Sequence, residues 1–332
     1  MAELLELRRV VADGYHNAFT DLRFWQGHYY LAFRRAEHHG TNPPGSVVVL
    51  RSTDLATWTE CACLHTQGDD RDPKLIDADD RLGVVFGTWF PRWAAGSLAN
   101  TPEDLISHLC TSRDGLAWSH PRQVYGVNYW LWRVFASRDE GFFCAAYHFP
   151  FRNHRSERSV HLLRSQDLFD WHLVGLMREG DGPGEPVLYQ PEPGTLHCVI
   201  RREADDHRSW FGRSRAPYTH WEWNDMGVMI HAPVVLNVGD QWLVAGRSRP
   251  ADLPPGTVPA ESGAHTSVWR ITAQGRAEHL ITVPSGGDCS YCGLARTPDG
   301  DVLMSYYSQH ERLPLDGRQP TPADVFLARL RL

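Results

Sequence analysis

With 332 residues, 42% hydrophobic and 22% charged, the chain has an ordinary globular composition and enough length to bury a large core without staples. Its formal charge of −7 excludes the basic field that a nucleic-acid or anionic-membrane partner needs. Arginine is abundant and lysine scarce, a balance that suits bidentate recognition of carboxylate or sulfate.

The chain opens on MAELLELRRVV, which has no apolar run of signal-peptide length, and no later stretch approaches a membrane span. The seven cysteines lack zinc-like spacing: Cys61 and Cys63 stand too close, and the pair Cys289 and Cys292 has no second pair. Buried free thiols in a reduced, cytoplasmic protein are the expectation, with secretion as the alternative if a leader has been removed. Six stretches then read as an apolar strand, a Gly/Asp/Pro turn and a second apolar strand. They are AFTDLRFWQGHYYLAFR, PKLIDADDRLGVVFGTW, LWRVFASRDEGFFCAAYH, EPVLYQPEPGTLHCVIRR, APVVLNVGDQWLVAGRSR and YCGLARTPDGDVLMSYYS. Their anchors near Asp21, Asp72, Arg133, Glu185, Pro233 and Tyr291 are 48 to 61 residues apart, a period that signals a propeller or solenoid.

Between the hairpins the spacing Ser-x-Asp-x-x-x-Trp recurs at Ser52-Asp54-Trp58, Ser112-Asp114-Trp118 and Ser165-Asp167-Trp171. A fourth copy, Ser214 to Trp221, is one residue longer and lacks the Asp. Such an Asp caps backbone N–H groups in a turn while the Trp tucks between sheets. TSVWRIT and VFLARLRL supply third strands to the last two units, and the opening ELLELRRVV fills the strand that the last unit lacks. The stretch TPEDLISHL at 101–109 is expected to hold one short helical turn; sustained helical periodicity is absent. The prediction is an all-β protein, a single domain over residues 1–332, built as a six-bladed β-propeller of four-stranded antiparallel blades closed into a ring. Trp58, Trp118, Trp171 and Trp221 are assigned to packing between blades. Trp89, Trp93, Trp130 and Trp132 are left over, and TWFPRW is the expected sugar-stacking platform at the rim.

Three Ser-x-Asp boxes in register within a six-fold hairpin repeat resemble the sialidase superfamily, the BNR or Asp-box propellers, over nearly the whole chain. The hallmark segments read HNAFTDL, RDPKL, WLWRV, GGDCSY and SYYS. The resemblance implies an axial cavity in which three arginines grip a sugar carboxylate, a Tyr–Glu pair supplies the nucleophile and an Asp acts as acid and base. Glu185 and Arg201, sixteen residues apart, match the family's Glu and second Arg, and Tyr291 in YCGL matches its Tyr. The pattern departs elsewhere. His16 and Asn17 open the first hairpin where the first Arg is expected, and His265 stands at the place of the third. The loop RRAEHHGTNPPG, where the Asp is expected, offers Glu37, His38 and His39 instead.

A Glu in an otherwise apolar strand, as Glu185 is, requires a partner when buried. Arg71-Asp72 and Trp132-Arg133 open hairpins two and three and are expected to line the cavity mouth; ordinary ion pairs at strand starts would explain them equally well. Arg34 and Arg247 close the inner hairpins of units one and five, and with Arg201 could clamp a uronate or sulfate. The reading is an exo-acting, retaining glycosidase for a terminal anionic sugar of an oligosaccharide or polysaccharide. Tyr291 attacks, Glu185 activates it, and Glu37, Asp21 or Asp72 protonates the leaving oxygen. No cofactor and no metal are called for, since adjacent residues such as His38 and His39 seldom ligate one ion together. Two alternatives stay open: a polysaccharide lyase using His16 and Tyr291 on a uronic acid, and a glycan-binding propeller without catalysis.

Overall fold

Alternating apolar residues between tight turns make β-strand the dominant regular structure of the described chain. The computed structural model describes residues 2–91, 102–149, 157–204, 206–314 and 321–332. Six four-stranded antiparallel sheets succeed one another along the sequence. Blade 1 follows β1 (Glu3–Val11) and comprises β2 (His16–Trp25), β3 (His28–Ala36), β4 (Ser46–Ser52) and β5 (Thr59–Leu64). Blade 2 is β6 (Asp69–Asp77), β7 (Leu82–Pro91), β8 (Pro102–Ser112) and β9 (Arg122–Gln123). Blade 3 is β10 (Tyr129–Ser137), β11 (Gly141–His148), β12 (Ser159–Ser165) and β13 (Trp171–Glu179). Blade 4 is β14 (Pro183–Glu192), β15 (Thr195–Arg202), β16 (Trp210–Arg215) and β17 (Glu222–Asp225). Blade 5 is β18 (His231–Val238), β19 (Gln241–Ser248), β20 (His265–Ile271) and β21 (Ala277–Val283). Blade 6 is β22 (Ser290–Arg296), β23 (Val302–Ser308) and β24 (Asp324–Arg331), with β1 as its outer strand.

That last pairing, Glu3↔Arg331 through Val11↔Val325, joins the two ends of the chain in one sheet and closes the ring. The opening segment therefore fills the strand that the sixth unit lacks. The short helical turn expected at 101–109 is absent from the described part of that stretch, which belongs to β8. Leu105, Ser107 and Leu109 are buried at a spacing of two, and pairing with β7 carries the segment as a strand.

Period-two alternation gives each blade two buried faces. In β3, Tyr30 and Ala32 pack with Leu75, Val84 and Phe86 of blade 2, while Leu31 and Phe33 pack with Leu303, Val325 and Leu327 of blade 6. Each such side chain contributes about 1.5–3 kcal/mol through burial, so adjacent blades hold each other. The repeated turns do what their spacing predicts. Asp54, Asp114 and Asp167 each accept two backbone N–H groups of their own turn, at 2.8–2.9 Å. Trp171 donates from Nε1 to the Leu168 carbonyl at 2.8 Å and belongs to the cluster between blades 2 and 3, with Ile76, Val85 and Leu109. All seven cysteines are free, and five are buried. No helix among the described residues is long and apolar enough to cross a membrane.

The closure between blades 6 and 1 is tight at Gly293, where an added Cβ would lie 2.0 Å from the Leu22 nitrogen and 2.6 Å from the Asp21 carbonyl carbon. Backbone cannot yield as a side-chain end can. Gly293→Ala should therefore cost about 1–3 kcal/mol or more, read as a lower urea midpoint with an unchanged slope.

Candidate active site

One irregularity recurs in all six inner strands. The ladders of β2, β6, β10, β14, β18 and β22 each place two residues opposite one on the neighbouring strand. The first residue of each bulge is Phe19, Asp72, Trp132, Glu185, Ala232 or Tyr291. Five of these six have left-handed backbone: φ is 61° at Phe19, 56° at Asp72, 47° at Glu185 and 51° at both Ala232 and Tyr291. A bulge re-aims a side chain that a regular strand would send between blades. Each positive φ at a non-glycine costs of order 1–3 kcal/mol, which the surrounding ring offsets.

The re-aimed groups meet. Tyr291 donates its hydroxyl to Glu185 Oε1 at 2.7 Å, and Arg201 Nη1 donates to the same oxygen at 2.6 Å. The Ala232 backbone N–H donates to Glu185 Oε2 at 2.8 Å. The Tyr291 ring lies 4.8 Å from that of Phe19 and 5.8 Å from that of Trp132. The strands' register also sets Arg34, Arg201 and Arg247 at equivalent places, opposite the residue that precedes each bulge. Of these, Arg201 and Arg247 face Tyr291, with the Arg247 guanidinium 5.3 Å from its ring centre. Arg71 adds a third cation, 4.8 Å from the Phe19 ring and 3.5 Å from Asp72 Oδ2.

Charge and burial set the proton states. Burial pushes the Tyr291 hydroxyl well above its ordinary value, and the Glu185 charge adds to this, so the phenol keeps its proton. Burial alone would raise Glu185; Arg201, the Tyr291 hydrogen bond and Arg247 outweigh it and hold the carboxylate below its usual range. Asp72 goes the other way. It is 4% exposed, and burial pushes it up to about 6 against the pull of Arg71 and Lys74.

Several residues singled out from sequence serve the scaffold. Arg133 donates to Asp21 Oδ1 at 2.8 Å and to the Cys292 carbonyl at 2.6 Å, while Asp21 Oδ2 accepts the Leu75 N–H. This pair ties blades 1, 2, 3 and 6 together. Arg34 is fully buried on Asp69 and on loop carbonyls, and Asn17 is bound to Asp13. His265 caps the start of β20 and bonds Ser262 at 2.7 Å. Glu37 is exposed and makes no hydrogen bond or ion pair among the described residues. The expected rim platform is corrected: Trp89, Trp130 and Trp132 are buried, packed on one another, Tyr147 and Phe149, and Trp93 lies outside the described residues. Trp132 instead supports the floor beneath Tyr291.

Sequence reasoning passed over Lys74 and Asp288. Lys74, the only lysine in the chain, lies buried 4.8 Å from the Trp132 ring centre and 5.8 Å from that of Tyr291, with no hydrogen-bond partner among the described residues. Burial and Arg133 bring its amine down to about 8. Its uniqueness was the available signal. Asp288 accepts from Tyr307 Oη at 2.6 Å and from Arg247 Nη2 at 3.2 Å, and contacts His16 Nε2 at 3.0 Å and His39 Nδ1 at 2.5 Å. Nothing in GGDCSY marked it, because its partners come from blades 1, 5 and 6. The bulges had a signal too. Proline follows the first bulge residue at Pro73, Pro186 and Pro233, within strands where a ladder N–H would be lost.

No family model matches the sequence, and a search of curated proteins gives no match. Solved structures do match. A Dyadobacter fermentans protein of unknown function is similar over 100% of this chain and 99% of its own, at 18% identity and a TM-score of 0.79. Phage phi92 endosialidase is similar over 98% of this chain and 69% of its own, at 12% identity and a TM-score of 0.68. A thermostable family-43 glycoside hydrolase is similar over 84% of this chain and 97% of its own, at 14% identity and a TM-score of 0.56. What is shared at these identities is the fold: this chain is a six-bladed, sialidase-like β-propeller.

The raised Asp72 carboxyl makes a stability prediction. Its folded pKa lies above the unfolded one, so its contribution is complete below pH 4 and is lost as pH rises through about 6. Between pH 4 and 7 the parent should lose roughly 2–3 kcal/mol relative to Asp72→Asn, read by urea unfolding at each pH.

Proposed function

We propose that this propeller is a retaining glycoside hydrolase that removes a terminal anionic sugar from a glycan. The observation that carries the reading is the single oxygen, Glu185 Oε1, that receives both the Tyr291 hydroxyl and Arg201. A buried phenol is a poor nucleophile until its proton leaves, and Glu185 is held ionised within hydrogen-bond reach of that proton. A neutral phenol also avoids bringing a carboxylate nucleophile against an anomeric carbon that already carries an anionic substituent. Tyr291 attacks that carbon as its proton passes to Glu185, giving an aryl glycoside on the protein. Water then reverses the sequence, so configuration is retained.

Arg71, Arg201 and Arg247 surround Tyr291 with planar donors suited to a carboxylate or sulfate on the sugar. Asp72, buried on the floor and part protonated near pH 6, is placed to hold a sugar hydroxyl. The names of the endosialidase and the family-43 hydrolase support a glycan as substrate. Elimination draws on His16 as its acid, and that ring is buried against His39 rather than open to a ligand.

The test is mass spectrometry of products from sialylated, uronic-acid and neutral oligosaccharides. Fragments that together gain one water are expected; fragments without it would replace hydrolysis with elimination. Tyr291→Phe should lower kcat by about 10³-fold or more and Glu185→Gln by at least ~100-fold, with KM little changed. Turnover that survives both substitutions would exclude the mechanism.

A further inference from the structure

We infer that His39 is the general acid and base of the site, held in place by Asp288; the inference rests on the hydrolase reading above. The proton for the leaving oxygen must come from the mouth, because a terminal sugar fills the pocket and its aglycone points out. His39 is at that depth: its side chain is 55% exposed, against 22% for Asp288. Its ring lies 5.3 Å from the ring of Phe19, which also packs against Tyr291 at 4.8 Å. One phenyl ring thus separates the nucleophile from the imidazole.

The loop that carries His39 is fixed from below. Arg34 donates to the carbonyls of His38 at 2.9 Å and Gly40 at 2.6 Å, and Arg71 donates to the His39 carbonyl at 3.4 Å. Three successive carbonyls therefore rest on two buried arginines. Arg34 is anchored on Asp69, which also takes the Gly45 N–H at 2.7 Å where the loop re-enters the sheet.

Asp288 does the same for the ring. Tyr307 Oη and Arg247 Nη2 occupy its Oδ1, and its own N–H donates to Gln309 Oε1 at 2.8 Å, leaving Oδ2 for the histidines. An ionised carboxylate only accepts, so His39 Nδ1 carries the proton there, and Nε2, which makes no hydrogen bond among the described residues, is the atom left for a substrate. Asp288 is a positioning residue that stabilises the imidazolium. The other carboxyls fit the role less well: Asp21 is bound to Arg133, Glu37 makes no hydrogen bond or ion pair among the described residues, and Asp72 lies deep.

The step balances. As the Tyr291 Oη–carbon bond forms and the glycosidic C–O bond breaks, the Tyr291 proton goes to Glu185 and the His39 Nε2 proton to the leaving oxygen. In the second half water bonds to the anomeric carbon and gives its proton to His39 Nε2. The tyrosyl bond breaks, and Glu185 returns its proton to Tyr291.

The experiment compares two glycosides of the same sugar, one with an alkyl and one with a nitrophenyl leaving group, in the full chain. An acid matters for the first and little for the second. His39→Asn should cut kcat/KM ~100-fold or more on the alkyl glycoside and under about 5-fold on the aryl one. Asp288→Asn should show the same split, smaller in size. Sodium azide should restore turnover of the aryl glycoside by His39→Ala and yield the glycosyl azide. Equal losses on both substrates, or none, would overturn the assignment, and thermal unfolding of the variants separates a folding defect. The donor atoms of His16, His39 and Asp288 lie within 4.8 Å of one another, a spacing that also fits a cation. If chelator-treated parent protein behaves as His39→Asn does, and zinc restores it, His39 is a ligand and not the acid. The two readings fail separately. A parent that cleaves neither glycoside removes both, whereas loss in Tyr291→Phe with an unaffected His39→Asn removes only His39.

Discussion

A bulge at the same register of each inner strand turns one side chain per blade onto the propeller axis, and the site depends on it. Without the extra residue, Glu185 and Tyr291 would alternate between blade faces as their neighbours Val187 and Leu294 do. With it, two residues 106 positions apart share a 2.7 Å hydrogen bond. The geometry survives because the ring is closed. The chain's two ends pair in blade 6, and blade 6 meets blade 1 at Gly293 with no room for a methyl group. Strain at five left-handed positions is thereby held by packing on both faces of every blade.

Charge is arranged in two groups on this frame. Asp21 and Arg133 cross-link four blades through both carboxylate oxygens and the two terminal guanidinium nitrogens. In the second group, Glu185, Asp72 and Asp288 alternate with Arg71, Arg201 and Arg247, so neither sign accumulates. The low-dielectric surroundings strengthen each of these contacts and separate the proton states of the carboxyls: Glu185 is held ionised while Asp72 is pushed to about 6. Lys74, the one lysine, completes the floor beneath the rings of Trp132 and Tyr291.

The architecture was legible in the sequence because hairpins are local. Turn residues and period-two apolar runs lie within about 20 positions of each other, and six copies at a regular period leave little choice of fold. The strand that closes the ring was legible from the count alone, one blade being a strand short. Glu185, Arg201 and Tyr291 were legible through the resemblance, and their mutual contact follows from blade order. The remainder was not local. Whether Arg34 or Arg247 faces the pocket is decided by Asp69 in one case and by Cys289 and Tyr307 in the other. Trp89, Trp130 and Trp132 read as spare aromatics in the sequence, yet the neighbouring Tyr147 and Phe149 bury them. The segment at 101–109 read as a short helical turn, yet ladder bonds to β7 carry its described part as a strand. His39 and Asp288 could not be paired by inspection, since 249 residues separate them.

The most direct measurement is covalent trapping of the nucleophile. The protein would be incubated with a ring-fluorinated glycosyl fluoride of the sugar it releases, digested, and mapped by mass spectrometry. The account predicts one sugar per chain, attached to Tyr291. A label on Asp72 or another carboxylate, or cleavage that never labels the protein, would contradict it.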